Sequence, residues 1–312
     1  MTPSRQVSFE VRVPASTANL GAGFDCLGLA LDLHLHVRAT VLSKPGAKTS
    51  ARTHGVRGSS ELPRDPEQNL IFRAMRFTAE RQGFNLPRVR IAVQNAIPVA
   101  GGLGSSAAAT VAGICLAWTV LGKPIPKETA LQYATEMEGH PDNVAAAVLG
   151  GFVVTFTRGD GTVAAIRNSW PKVIRLIVVT PNIKLETKVS RAVLPQAIPR
   201  ADAVHNLQRT ALFVAALEER RYEFLWDAMQ DRLHQTPRQG LIPGLADALA
   251  TPRVPGLLGV ALSGAGPSVL ALATERYEEF GKMIARSFEK HNLSPTVRIL
   301  EAAQEGILAS EK

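Results

Sequence analysis

A chain of 312 residues is long enough to bury its own core and corresponds to one large domain or two closely joined ones. Hydrophobic residues make up 46% and charged residues 20%, which excludes a disordered, collagenous or low-complexity chain. The 35 Lys and Arg against 27 Asp and Glu leave a net charge of +8, favouring anionic partners, while two cysteines, Cys26 and Cys115, exclude a disulfide framework or a cysteine-rich zinc site.

The amino terminus, MTPSRQVSFEVRV, has no apolar core of the signal-peptide kind and is read as the first strand: Val7, Phe9, Val11 and Val13 alternate with Ser8, Glu10 and Arg12. No export is expected, and a reducing cytoplasm is the simplest location for two thiols. In a second strand Leu31, Leu33, Leu35 and Val37 alternate with Asp32, His34, His36 and Arg38. The two histidines share one face, and no function is assigned to them. Residues 43–64, rich in Gly, Ser, Pro and basic side chains, predict a hairpin or loop, and a helix follows over 68–82, stopped by Gly83. A strand over 89–94 leads into a glycine loop and an Ala-rich helix over 105–121, ending at Gly122. Another helix, over 126–138, breaks at Gly139 and Pro141 and resumes at Asp142. Residues 152–157 and 162–166, joined by a turn with Gly159 and Gly161, read as a hairpin, and 173–179 as a strand. From 184 to 249 the pattern is mostly helical with proline breaks; then come strands over 257–263 and 268–273, a helix over 275–291 and a strand over 296–301. Strands and helices mix without regular βαβ repetition, which predicts an α+β fold with two lobes joined somewhere between 150 and 180.

The longest uncharged stretch, 91–122, is interrupted by Gln94, Asn95, Pro98, glycines and serines. Its strongly apolar part, 107–121, is shorter than the roughly 18–20 residues of a membrane span. Basic residues are dispersed, with only short pairs such as Arg220 and Arg221, and aromatics are 5%, so neither a basic arm nor a stacking platform for nucleic acid is supplied. Composition alone does not choose between an acidic membrane surface and a phosphorylated small molecule as the anionic partner.

The most informative segment is PVAGGLGSSAA, 98–108. Gly101, Gly102 and Gly104 lie between a strand and a helix whose first turn carries Ser105 and Ser106. Glycines permit close backbone approach, and the free amides and dipole of a helix start attract anions. A serine hydroxyl there can ligate Mg2+ or a phosphate oxygen. Taken alone, a glycine triplet and serine also read as a flexible turn with an N-cap. The string is no Walker A loop, since no Lys follows the last glycine, and its G-G-x-G spacing is not the dinucleotide fingerprint.

PVAGGLGSSAA resembles the second motif of the GHMP kinases, the superfamily named for galactokinase, homoserine kinase, mevalonate kinase and phosphomevalonate kinase. VPASTANLGAGFDCLGLAL (13–31) is similar to the amino-terminal motif of the homoserine kinases, and LSGAGPSVLAL (262–272) resembles the superfamily's carboxy-terminal glycine motif. EGHPDNVAAAVLGG (138–151) and PRQGLIPG (237–244) also look like homoserine kinase, so the resemblance spans nearly the whole chain. It implies a GHMP kinase fold: an ATP-binding lobe over 1–165 like ribosomal protein S5 domain 2, and a ferredoxin-like lobe over 166–312. The implied activity is transfer of the γ-phosphoryl of ATP to the hydroxyl of L-homoserine, with Mg2+, in threonine biosynthesis. A homodimer is common in the family.

The resemblance also implies roles. Asn19 and Asp25 contact the amino acid, Asp25 suiting the ammonium, although among Gly21, Gly23 and Gly28 they also read as turn formers. Arg191 and Arg238 match arginines that hold the carboxylate, where a planar fork suits bidentate binding, and Thr187 lies in the same loop as Arg191. His140, Asp142 and Asn143 lie at the substrate, with Asp142 equally suited to capping a helix. Asn143 and Arg191 are the residues expected to act in the transfer itself, Asn143 standing where some relatives carry an aspartate base. Pro98, Val99, Ala100, Gly101, Gly102, Leu103, Gly104, Ser105, Ser106, Ala107 and Ala108 form the ATP loop, with Asn69 near adenine. Ser106 and Glu138 are the Mg2+ candidates, Glu136 the alternative. Ser263 and Ser268 read as capping or packing residues. Two other readings stay open: another GHMP kinase, of the mevalonate or sugar type, and an ATP-binding regulatory protein without catalysis.

Overall fold

The computed structural model describes residues 7–42, 48–55, 63, 65–124 and 126–311. Strands β1 (Ser8–Ala18) and β2 (Leu27–Val41) form a long antiparallel hairpin. β3 (Ser50–Gly55) runs parallel to β4 (Val89–Asn95), which is antiparallel to β2. β5 (Phe152–Thr157) and β6 (Val163–Asn168) make a second hairpin, and β5 pairs with the start of β2. Helices α1 (Leu70–Gln82), α2 (Ser105–Thr119), α3 (Lys127–Glu138) and α4 (Asp142–Leu149) pack against this sheet.

α1 has both its ends written into the sequence. The Asn69 side chain accepts the Ile71 amide at the start, and Gly83, at φ 66°, returns its own amide to Ala79 and Glu80. α2 is buried on nearly every side from Ala107 to Ala117, so it shows no amphipathic stripe and runs through the core. At Gly113 a β-carbon would lie 2.3 Å from the Ile71 carbonyl oxygen, so this glycine allows α1 to approach.

A second sheet begins with β7 (Arg175–Thr180). The chain then runs through α5 (Thr187–Ala192), α6 (Arg200–Glu218), α7 (Leu225–Ala228), α8 (Gln235–Arg238) and α9 (Leu245–Leu249). β8 (Leu257–Leu262), β9 (Val269–Ala273), α10 (Tyr277–Glu289) and β10 (Thr296–Leu300) follow. The strand order β10-β7-β9-β8, all antiparallel, is the ferredoxin-like arrangement. Alternate residues of this sheet serve different cores. Leu176, Val178, Leu270 and Leu272 face the large first core, while Ile177, Val179, Val269 and Ala271 face a second core with Phe280, Ile284 and Phe288 of α10. Burial on both faces explains why RLIVVT and VLALA are nearly unbroken apolar runs.

The structure departs from the sequence reading in three places. β3 lies inside the segment expected as a hairpin or loop, whose residues 43–47, 56–62 and 64 fall outside the described ones. β1 and β2 reach further into the first glycine motif than their alternation indicates, because residues 13–18 and 27–31 are covered on both sides. The last strand, β11 (Leu308–Glu311), pairs with β1, so the carboxy terminus returns to the first sheet. A division after residue 165 therefore falls within β6 and is crossed again by β11.

On the open face of the first sheet, His34 lies 3.2 Å from an Arg12 nitrogen; burial and that positive charge lower its pKa to about 4. Among the described residues no group of three or more His, Cys, Asp or Glu is placed to hold a metal ion, and no helix is long and apolar enough to cross a membrane.

Replacing Gly113 by Ala forces a methyl group against the α1 backbone. Gly113→Ala is expected to lower the free energy of unfolding by about 1–3 kcal/mol, measured as a fall in urea midpoint at constant slope.

Candidate active site

A cavity of about 340 Å³ opens where the glycine loop, the β1–β2 turn, the start of α4, α5, α8 and the β8–β9 turn converge. The glycine loop is fastened by its oxygens. The Ala100 carbonyl accepts the Leu185 amide (3.3 Å), that of Gly101 the Ser268 hydroxyl (2.5 Å), that of Gly102 the Ser263 hydroxyl (2.6 Å), and that of Leu103 the Ser16 amide (3.1 Å). No partner is found among the described residues for the amides from Gly102 to Ser106. Ala100, Gly102 and Gly104 have φ of 55°, 74° and 67°, a backbone that curls the loop around the start of α2. Gly104 occupies the α2 cap position without a side-chain cap, so the helix start is open to an anion. At Gly102 a β-carbon would stand 2.6 Å from the Ser263 carbonyl oxygen, so only glycine fits. Val99 and the loop from Ala100 to Ser106 line the cavity, whereas Ala107 and Ala108 turn into the core and Pro98 stands outside the lining.

The β1–β2 turn supplies an acid and an aromatic ring. Asn19, Leu20 and Asp25 all have left-handed backbone, with φ of 70°, 47° and 54°. The Asn19 side chain holds this turn in place, donating to the Gly264 carbonyl (3.1 Å) and accepting the Asp25 amide (3.1 Å). Asp25 receives both Arg191 terminal nitrogens, at 2.5 and 3.0 Å. Burial works against the Arg191 charge, but the hydrogen bond and charge of Asp25 more than offset it, and its pKa is raised. Arg238 is 1% exposed. It donates to the carbonyls of Ser190 (3.1 Å) and Gly264 (3.2 Å) and to His234 (2.9 Å). Both guanidinium groups lie over the Phe24 ring, that of Arg191 5.5 Å and that of Arg238 5.6 Å from its centre.

At the start of α4, one oxygen of buried Asp142 accepts three hydrogen bonds: from the Asn143 amide (2.6 Å), the Asn143 side chain (3.3 Å) and the His140 ring (2.8 Å). The Ser16 hydroxyl donates to the Asn143 side-chain oxygen (2.9 Å). Glu138 ends α3 beside the cavity and accepts from the Ser106 hydroxyl (2.7 Å) with one oxygen and from Thr110 (2.7 Å) with the other. Glu136 is turned away and pairs with Arg81. Asn69 lines the cavity, but both ends of its amide are engaged, with the Pro63 carbonyl (2.6 Å) and the Ile71 amide (3.0 Å). Thr187 is exposed at the cavity edge.

The cavity thus gathers Asn19, Asp25, His140, Asp142, Asn143, Arg191, Arg238 and the loop, drawn from positions more than 200 residues apart. Sequence reasoning missed Phe24, Ser16, His234 and Leu185. Phe24 and Ser16 sit inside the first glycine motif, which was the available signal; His234 and Leu185 carry none. Ser263 and Ser268, read as packing residues, are the anchors of the glycine loop. An acid paired with one of two arginines offers sites for a zwitterion, next to a backbone cradle for phosphates.

Comparison with known proteins agrees with this geometry. A profile of the GHMP kinases N terminal domain matches residues 69–151. The chain is 42% identical over 298 residues to a homoserine kinase of Desulfitobacterium hafniense, the match covering 95% of this chain and 98% of that one. It is 44% identical over 268 residues to a homoserine kinase of Deinococcus radiodurans, covering 86% and 85%. A crystal structure of a homoserine kinase from Cytophaga hutchinsonii superimposes with a TM-score of 0.84 at 29% identity, covering 99% of each chain.

Burial alone disfavours the charged His140 ring, but the Asp142 hydrogen bond and charge outweigh it and raise its pKa. A raised pKa gives stability that is full below the unfolded value of about 6.5 and lost as pH rises through the folded value. His140→Gln is therefore expected to lower the denaturation midpoint more at about pH 5.5 than at about pH 8.5. Equal losses at both would show that the charged pair contributes nothing.

Proposed function

Because the chain belongs to the homoserine kinases of the GHMP kinase family, we propose that it transfers the γ-phosphoryl of ATP to the side-chain hydroxyl of L-homoserine, giving O-phospho-L-homoserine and ADP in threonine biosynthesis. The observation that carries this reading is the placement of the Asp25, Arg191 and Arg238 charges in the same cavity as the oxygen-fastened glycine loop.

In this reading the amides from Gly102 to Ser106 receive the ATP phosphates, and the start of α2 adds its dipole. Homoserine enters the ion pair of Asp25 and Arg191: its ammonium takes the place of the guanidinium at Asp25, and its carboxylate bridges Arg191 and Arg238. In the free site Asp25 is paired with Arg191 while Arg238 meets only carbonyls and a neutral ring, so the substrate carboxylate supplies the anion that Arg238 lacks and the ammonium replaces the guanidinium at Asp25. The oxygens of Ser106 and Glu138 suit Mg2+, which favours hard donors, commonly one carboxylate together with substrate phosphates. Ser106 and Glu138 would hold that ion, which supplies neutralisation of charge on the phosphates when bound. Thr110 fixes the second Glu138 oxygen.

Asn143 is oriented by Ser16, whose hydroxyl occupies the side-chain oxygen and leaves the NH2 group as donor. An amide takes no proton at neutral pH, so Asn143 aims the homoserine hydroxyl and the proton passes to phosphate or solvent. Arg191 brings positive charge to the transferring group as well as to the carboxylate. Catalysis on this scheme comes from in-line positioning and charge stabilisation.

A coupled assay of ADP release with Mg2+ and ATP tests the assignment. Turnover is expected with L-homoserine in preference to D-homoserine, L-serine, L-threonine and mevalonate; turnover with another alcohol and none with L-homoserine would sink it. Asp25→Asn is expected to raise the KM for homoserine ~10- to 100-fold with little change in the KM for ATP. Asn143→Ala is expected to lower kcat ~100-fold or more. Full kcat in that variant, with Asp142→Asn inactive at unchanged KM, would make Asp142 the base instead.

A further inference from the structure

His234 is fully buried one turn before Arg238, at the entrance to α8. Its Nε2 lies 2.8 Å from the Gly21 carbonyl oxygen, which can only accept, so Nε2 carries the hydrogen of the neutral ring. Nδ1 is then an acceptor, and 2.9 Å from it stands Nη1 of Arg238, which can only donate. Burial lowers the pKa of His234 and keeps the ring neutral. The ring is held from both sides: its own backbone amide donates to Asp231 (2.9 Å), and Phe24 stacks on it at 5.2 Å and 25°.

A guanidinium has five N–H groups. The Arg238 Nε hydrogen goes to Ser190, and Nη1 serves His234 and Gly264. Only the Nη2 hydrogens are without a partner among the described residues, and Arg238 lines the cavity. Burial, with the neighbouring Arg191 charge, lowers its pKa to about 10, so it still enters the site as a cation at neutral pH.

We propose that His234 is a positioning residue for substrate recognition: its Nδ1 lone pair sets the rotation of the Arg238 guanidinium so that the Nη2 edge meets the carboxylate of the amino-acid substrate. This rests on the reading of Arg238 as a carboxylate anchor. An aromatic ring of the same size would fill the space but leave one Nη1 hydrogen without an acceptor, with only the Ser190 and Gly264 carbonyls to hold the fork.

Two substitutions separate the ring nitrogens. In His234→Asn the amide oxygen takes the place of Nδ1 and keeps the acceptor; His234→Gln reaches Gly21 but lacks it. His234→Gln is expected to raise the KM for L-homoserine ~10-fold or more, with kcat and the KM for ATP within ~3-fold, and His234→Asn to restore most of the affinity. The analogue 3-aminopropanol has the ammonium and hydroxyl but no carboxylate, and its inhibition constant should be the same in wild type and His234→Gln. An unchanged homoserine KM in His234→Gln, equal losses in both variants, or an equal penalty for 3-aminopropanol overturns the proposal. Nitrogen NMR of the wild-type enzyme gives a reading that needs no variant: the Nε2–H tautomer is expected, with the Nδ1 resonance moving on addition of homoserine, and the Nδ1–H tautomer overturns it. Arg238→Lys runs alongside. If it weakens homoserine and spares 3-aminopropanol while His234→Gln does neither, the positioning role fails and the carboxylate anchor stands. If Arg238→Lys affects both compounds equally, the anchor itself fails.

Discussion

Four carbonyl oxygens that face away from the cavity determine what the cavity can bind. A peptide unit carries its N–H and C=O on opposite sides, so tying down the oxygens of Ala100, Gly101, Gly102 and Leu103 turns the intervening amides the other way. The donors come from β1, from the segment before α5 and from the β8–β9 turn. With no lysine in the loop, what it offers an anion is backbone amides, and its shape depends on both sheets being in place. The serines at 263 and 268 are small enough to lie against the loop and carry one hydroxyl each to hold it.

The other half of the site is one acid and two arginines, of which only one is paired with the acid. Asp25 and Arg191 form a two-point pair, Arg238 is buried against carbonyls and a neutral imidazole, and both cations lie over the Phe24 ring. This places a narrow limit on what the net charge of +8 means. On the proposed reading two of the 35 basic residues, Arg191 and Arg238, meet the substrate, and the glycine loop carries no side-chain charge at all. Among the described residues no other Lys or Arg lines the cavity.

Helices and glycine turns were legible in the sequence because their determinants are local. Asn69 and Gly83 bracket α1 within a few residues of its ends, and the motif loops carry their own glycines. β3 was not legible, since SARTHG has no alternation and is a strand only because β4 lies beside it. β11 is exposed along its length and is defined by pairing with a strand nearly 300 residues earlier. The same holds in the site. Asp25, Arg191 and Arg238 stand in recognisable motifs, but the contacts of Ser16 with Asn143 and of His234 with Gly21 span 127 and 213 residues and follow from the fold alone.

The return of the chain to the first sheet has a mechanical consequence. Chain passes between the two sheets at 169–174 and again at 301–307. The second passage is knitted to the first sheet: the Asp32 amide donates to the Glu301 carbonyl, the Ala303 amide to Ala30, and the Gly151 amide to Ala303. Gly150 and Gly306 let this passage lie directly on the end of α4. The two sheets are thus joined by two passages of chain as well as by the core they share, and the glycine loop and the β8–β9 turn that anchors it lie across that doubly fastened join.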